Sequence, residues 1–245
     1  MTTKSIYITV LILSGLFLNS LYSQNNQESE THKNSGFLDF NGYYDSRRFS
    51  TFTINALANL SYRLQYFSLT NFQGSDSTTD LSTFYTEQNL RWKIKGNSPL
   101  DLTVQWVART GNNNDNFRLG VRWKLNETNY LQPFFKKLHF AYSINFHLLQ
   151  FTTKAPSKLL PQIEHVYRLN LLPSVFKNRL YLGGFADQNM VYQDNGNISF
   201  KWVSEHQIGY NICNSFFIIL EYRINDFLPS DNYGLGYGLE YKMTF

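Results

Sequence analysis

The chain has 245 residues, enough for one domain of ordinary size, and carries a formal net charge of +4 with 16% charged and 17% aromatic residues. Its mean hydropathy of −0.35 excludes a helical membrane protein, which would show several long apolar runs. The mild charge, without any block of like charges, argues against nucleic acid as a partner, and the single cysteine, Cys213, excludes an intramolecular disulfide framework and a cysteine-based metal cluster.

The N-terminal stretch MTTKSIYITVLILSGLFLNSLYSQ places Lys4 before an apolar run from Ile6 to Leu18, followed by small and polar residues. That run is too short to span a bilayer comfortably and suits the core of a signal peptide, so residues 1–23 are expected to be a cleavable export signal. No cysteine lies near the cleavage region, which argues against a lipoprotein anchor. Removing the signal takes away Lys4 alone and leaves a charge of about +3 by the same count. Residues 24–36, QNNQESETHKNSG, are polar without an apolar period and are expected to form a flexible leader.

From residue 37 to 245 the chain settles into alternating segments of about ten residues separated by turn chemistry. In LDLTVQWVAR, Leu100, Leu102, Val104, Trp106 and Ala108 share one face, while Asp101, Thr103, Gln105 and Arg109 share the other. FRLGVRWKL, ISFKWVSEHQIGYNI, FFIILEYRI and the closing YGLGYGLEYKMTF repeat the scheme. The pattern predicts twelve strands, at about 37–45, 50–60, 62–72, 82–95, 100–109, 117–125, 138–151, 162–172, 179–190, 198–212, 216–225 and 233–245. Within the second of these, TINALANL also reads as a short helix.

Composition and alternation together point to an all-β fold, a transmembrane antiparallel up-and-down barrel of about twelve strands. A soluble β-sandwich or lipocalin-like barrel would turn its apolar face inward and its charges outward. Here one face carries Trp92, Trp106, Trp123 and Trp202 with many Tyr and Phe near strand ends, as expected of interfacial aromatic girdles. The turns KGNSP, PSVFKN and CNS are short, whereas QGSDSTTD, TGNNNDN, TTKAPSKLLP and YQDNGN are longer and more polar. This asymmetry is that of outer-membrane barrels, with both termini on the periplasmic side. NETNYLQPFFKK is the exception, a long connection on that side; its Phe134 and Phe135 are expected against the membrane surface or in the barrel end.

Parity assigns the polar face to the lumen. The residues expected to line a pore are Tyr85, Glu87, Arg91, Gln105, Arg122, Asn145, His147, Glu164, Arg168, Asp187, Glu205, Gln207, Glu221 and Arg223. Asn89, Arg109, Arg118, His139, Glu240 and Lys242 share their parity. Tight hairpins would set Glu205 opposite Arg223, Gln207 opposite Glu221, and Lys93 opposite Asp101. Interleaved charges of both signs can satisfy one another, so one reading is a network that fills and stiffens the interior. The other is a narrow polar pore whose lining selects a small polar solute. A nucleoside suits it chemically, with Tyr85 stacking on a base and Glu, Asn and Gln bonding to ribose hydroxyls.

Catalysis is not expected. Hydrolysis by a serine needs a histidine beside it, and no His-x-Ser arrangement occurs. His139 and His147 lie eight residues apart, about 26 Å along a strand at ~3.3 Å per residue, and cannot share a metal. His165 and His206 fall on the outward face by parity, which is awkward for His206 near mid-strand. No catalytic residue, metal or cofactor is therefore assigned.

Read in order, FRLGVRWKLNETNYLQPFFKKLHFAYSINFHLLQF, RLYLGGFADQNM, KWVSEHQIGYNI, FFIILEYRINDF and YGLGYGLEYKMTF resemble the Tsx-like nucleoside-specific outer-membrane channels and their little-characterised relatives. YTEQNLRWKI looks like the Glu-bearing early strand of that family, and the resemblance extends over about residues 50–245. It implies a twelve-stranded barrel with a narrow pore, to which Glu87, Asn145, Asp187, Gln207 and Glu221 would contribute. Gln188 stands where the family often has an aromatic, and Ile219 where a glycine precedes the Glu.

The function expected is passive diffusion of small polar solutes, nucleosides among them, through an outer-membrane channel. A closed barrel with a structural or partner-binding role is the alternative, and a lipid-modifying enzyme a third. The partners expected are outer-membrane lipids, a small polar solute and the barrel-assembly machinery, which would take up the final strand ending at Phe245. A monomer is expected, and no nucleic acid.

Overall fold

The computed structural model describes residues 35–61, 63–74, 80–111, 115–153, 161–192 and 196–245. The expected signal peptide and nearly all of the leader lie outside these residues, as do the tips of the longer loops. The leader's last two residues, Ser35 and Gly36, already belong to the first strand.

Twelve strands form, as the alternation predicts: β1 (Ser35–Asp45), β2 (Phe49–Asn59), β3 (Leu64–Gln73), β4 (Thr83–Lys93), β5 (Leu100–Arg109), β6 (Asn116–Lys124), β7 (Phe140–Thr152), β8 (Gln162–Asn170), β9 (Leu180–Tyr192), β10 (Ile198–Cys213), β11 (Phe216–Asn225) and β12 (Tyr233–Thr244). All of TINALANL but Leu60 lies in β2, as a strand and not a helix. Each strand pairs antiparallel with the next, and β12 returns to β1 from Phe37↔Thr244 to Asp45↔Gly236, closing the barrel. Closure satisfies the backbone groups that an open sheet would leave bare in lipid.

Side-chain period turns this ring into two opposite surfaces. Leu102, Trp106, Phe200, Ile218, Leu220, Leu235 and Leu239 are exposed on the outer face. Asn41, Thr53, Asn89, Gln105, Asn145 and Glu221 are among the polar residues buried inside. Burial is thus the inverse of a water-soluble barrel, and the apolar outer face fits a hydrocarbon surround. Among the described residues, no helix is long and apolar enough to cross a membrane.

A bulge in β7 adjusts the alternation. The β6–β7 register shifts between Leu119 and Gly120, so Leu148 and Leu149 both stand exposed on the outer side. His147 stays buried before the shift, and Gln150 re-enters the lumen after it, accepting a 2.6 Å hydrogen bond from Arg118 Nε. A bulge has this consequence because one extra residue restores parity beyond it.

The connection between β6 and β7 holds more structure than a loop. A 3-10 turn at Leu125–Glu127 precedes helix α1 (Gln132–Lys137), which has Pro133 in its first turn, where a missing N–H costs nothing. Phe135 is buried, with its ring 5.5 Å from Phe140 and 6.5 Å from Tyr142, so α1 rests on the barrel wall while Phe134 stays exposed. Glu127 ties the start of the connection to the lumen mouth through Lys124 at 2.8 Å and Lys93 at 3.2 Å. Partial burial pushes the Glu127 carboxyl up, but the two ammonium groups outweigh it and hold it below the ordinary range. His139 corrects the parity assignment: it is the exposed, positive-φ residue of the turn before β7 and does not face the lumen. A second short helix, α2 (Pro173–Phe176), occupies the β8–β9 connection.

Candidate functional site

The interior holds a cavity of about 860 Å³. Of the fourteen residues expected at a pore, Tyr85, Glu87, Arg91, Arg122, Glu164, Arg168, Asp187, Glu205, Gln207 and Glu221 border this cavity. The other four also point inward, one layer behind it. Gln105 donates to Glu87 at 3.0 Å and accepts from Arg118 at 2.6 Å. Asn145 donates to Glu164, His147 Nε2 lies 3.2 Å from the same carboxylate, and Arg223 bonds Glu221.

Hairpin register brings the expected partners together. Glu205 stands opposite Arg223, Gln207 opposite Glu221, and Lys93 opposite Asp101. Opposition does not decide which partner a side chain takes. Arg223 Nε lies 3.9 Å from Glu205 but bonds Glu221 on its own strand, two residues away. Lys93 turns to Glu127, and Asp101 is taken by Arg122 and, at 3.6 Å, by Lys124.

Arg223 anchors an ion-paired cluster at the edge of the cavity, although its Nη2 has no hydrogen-bond partner among the described residues. Its guanidinium carbon lies 4.5 Å over the Tyr43 ring, and the Tyr43 hydroxyl shares a 2.7 Å hydrogen bond with Thr53. Arg223, Glu221, Tyr43, Thr51 and Thr53 are all buried. Each ion is thus desolvated and partnered, the condition under which buried charge is tolerated.

A second cluster reaches across several strands. Tyr181 on β9 donates to Glu240 on β12, and Gln207 on β10 donates to the Tyr181 oxygen at 2.8 Å. Gly209 makes this reach possible: a Cβ there would collide with the Tyr181 ring. The Arg168 guanidinium covers the ring at 3.7 Å.

Across the lumen, Arg91, Arg109 and Asp187 form no ion pair among the described residues. Arg109 lies 5.2 Å over the Tyr85 ring and Arg91 5.1 Å over Phe67. Arg91 has one long hydrogen bond, 3.4 Å to Gln65, and its Nε has no partner among the described residues. Asp187 Oδ1, also buried, is likewise without a hydrogen bond among them. Glu87 and Asp187 lie within electrostatic reach of each other, of Glu164 and of Arg118, so β4, β6, β8 and β9 converge here.

Several inward groups escaped the sequence reading: Tyr43, Asp39, Asn71, Phe67 and Tyr181 all border the cavity. Alternation marks Asp39, Asn41 and Tyr43 as sharing one face of SGFLDFNGYYD, and that signal was sufficient to find them. Outside the barrel, His165 and His206 have local partners. The Tyr142 hydroxyl lies 2.7 Å from His165 Nδ1, and the Tyr167 hydroxyl 2.7 Å from His206 Nδ1. Tyr167 reaches His206 across Gly184, which at φ 151° occupies backbone space that favours glycine. No arrangement of three or more His, Cys, Asp or Glu side chains suited to a metal ion occurs among the described residues.

No family model and no curated protein matches the chain. Solved structures that share its fold include two described as porins. One is described as "KdgM porin", 11% identical, covering 84% of this chain and 98% of that one with a TM-score of 0.51. The other is that porin "in complex with disordered oligogalacturonate", 12% identical over the same shares with a TM-score of 0.50. Both descriptions are of porins and neither is of a nucleoside channel; at these identities the likeness is one of barrel fold.

Proposed function

We propose that this chain is a monomeric channel of the bacterial outer membrane that passes small polar solutes by passive diffusion, nucleosides first among them. The observation that carries the reading is the cavity of about 860 Å³ enclosed by a barrel that is apolar outside and charged within. A volume of that size lies within the range of about 300–1,000 Å³ that accommodates small ligands. A barrel needing only stiffness would gain nothing from a roomy interior edged by incompletely paired arginines and carboxylates.

The nucleoside proposal draws on the resemblance to Tsx-like channels and on the lining. The β2–β3 side of the cavity is uncharged, with Asn55, Leu57, Phe67, Leu69 and Asn71 facing it. Apolar surface beside carboxamides suits a base joined to a sugar. Export by a cleavable signal at residues 1–23, a lipid surround and uptake of β12 by the barrel-assembly machinery complete the proposal.

Liposome swelling tests it. Barrels refolded into vesicles should admit nucleosides faster than sugars of equal size. Equal rates would reduce the function to a general pore, and no swelling with either would favour the closed-barrel alternative.

A further inference from the structure

The charges bordering the cavity are nearly balanced in number but segregated in space. On β4–β6 they are Arg91, Arg109, Arg118 and Arg122 against Glu87 alone. On β9–β12 and β1 they are Asp39, Asp187, Glu205, Glu221 and Glu240 against Lys242 alone. Glu164 and Arg168, both on β8, cancel. In the closed ring of twelve, the centre of the first group, β5, lies six strands from the centre of the second, β11, on opposite sides of the barrel. The lumen therefore has a cationic wall facing an anionic wall.

Pairing within each wall leaves part of this field free. Arg122 is taken by Asp101, and Glu221 by Arg223. Arg91, Arg109 and Arg118 on one side, and Asp187 on the other, form no ion pair among the described residues. Arg91 Nε and Asp187 Oδ1, on β4 and β9, are buried and lack hydrogen-bond partners there. Each wall thus offers an unmatched polar group beside the same cavity.

Resting on the channel reading of this same lumen, we infer that its preferred solutes are net-neutral and dipolar, so that among charged solutes zwitterions enter ahead of singly charged ones. The anionic group would lie toward Arg91, Arg109 and Arg118, and the cationic group toward Asp187 and Glu205. A singly charged solute gains at one wall and loses at the other, whereas a zwitterion gains at both. The near balance of total charge gives neither ion sign an overall advantage. Water-excluding walls make such opposed fields stronger than they would be in bulk water.

The test is uptake into vesicles holding the refolded full chain, using four probes of closely similar size. These are glycylglycine as zwitterion, N-acetylglycine as anion, glycylglycinamide as cation and N-acetylglycinamide as the uncharged reference. Glycylglycine should enter about fivefold faster than either singly charged probe, the factor that roughly 1 kcal/mol of partly screened attraction supplies. Asp187→Asn should raise entry of N-acetylglycine relative to glycylglycine, and Arg118→Gln that of glycylglycinamide. Uptake of all four probes at one rate, or fastest uptake of a singly charged probe, overturns the dipolar preference and leaves the channel standing. Exclusion of all four by folded barrels overturns the channel reading itself. The wild-type series decides the question even where a variant fails to fold.

Discussion

Two parts of the barrel interior show the same alternation of polar residues and use it differently. Around Arg223, side chains from β1, β2 and β11 close on one another: Glu221 holds the guanidinium, Tyr43 lies under it and Thr53 holds Tyr43. Between Arg91 and Asp187, buried charged side chains border the cavity without forming an ion pair among the described residues. The first arrangement strengthens the wall. The second leaves binding capacity for something that enters. Periodicity sends both sets inward, and ion pairing, present at Arg223–Glu221 and absent among the described residues at Arg91 and Asp187, separates structure from proposed function.

The largest expected effect breaks the ion-paired cluster. Arg223→Ala leaves Glu221 buried without its cation and should cost about 3–5 kcal/mol, read as an earlier urea midpoint for unfolding in detergent. Asp187→Asn should barely move that midpoint while changing ion selectivity. Equal destabilisation by the two variants would erase the distinction between the clusters.

Leu220→Arg tests the outer face. Leu220 is exposed there beside buried Glu221 on the same strand, and the change should cost about 2–4 kcal/mol near the bilayer midplane, measured by reversible unfolding from vesicles. Gly209→Ala should force the Tyr181 ring away from Glu240, costing about 1–3 kcal/mol by overpacking, with the loss visible in a Tyr-sensitive spectrum. The smallest effect lies at the barrel mouth. Glu127 has a depressed folded-state pKa, so its stabilising contribution is present above the unfolded carboxylate pKa and fades as pH falls through the folded value. Glu127→Gln should flatten that acid limb of the stability profile and leave neutral-pH conductance unchanged.

The strand plan was readable because a half-lipid, half-lumen strand writes its face into every second residue. Tight hairpins made register readable as well, as with Glu205 opposite Arg223 across the Asn214–Ser215 turn. What a side chain does after pointing inward was not readable. Arg223 passes over the opposed Glu205 to bond Glu221, and Tyr181 reaches Glu240 three strands away. Those choices depend on curvature, on side-chain length and on gaps such as the one at Gly209, none of which has a sequence period. His139 was misplaced because the seventh strand begins two residues later than the apolar pattern suggests, after a helix with Pro133 in its first turn. Outward His206 was awkward only while its partner was unknown; Tyr167 lies on another strand, across Gly184.

Single-channel recording across a planar bilayer tests the central claim most directly. The account predicts discrete conductance steps from the folded barrel, and an altered reversal potential in a salt gradient when Arg118 is changed to Gln. Folded barrels that insert and carry no current would contradict it.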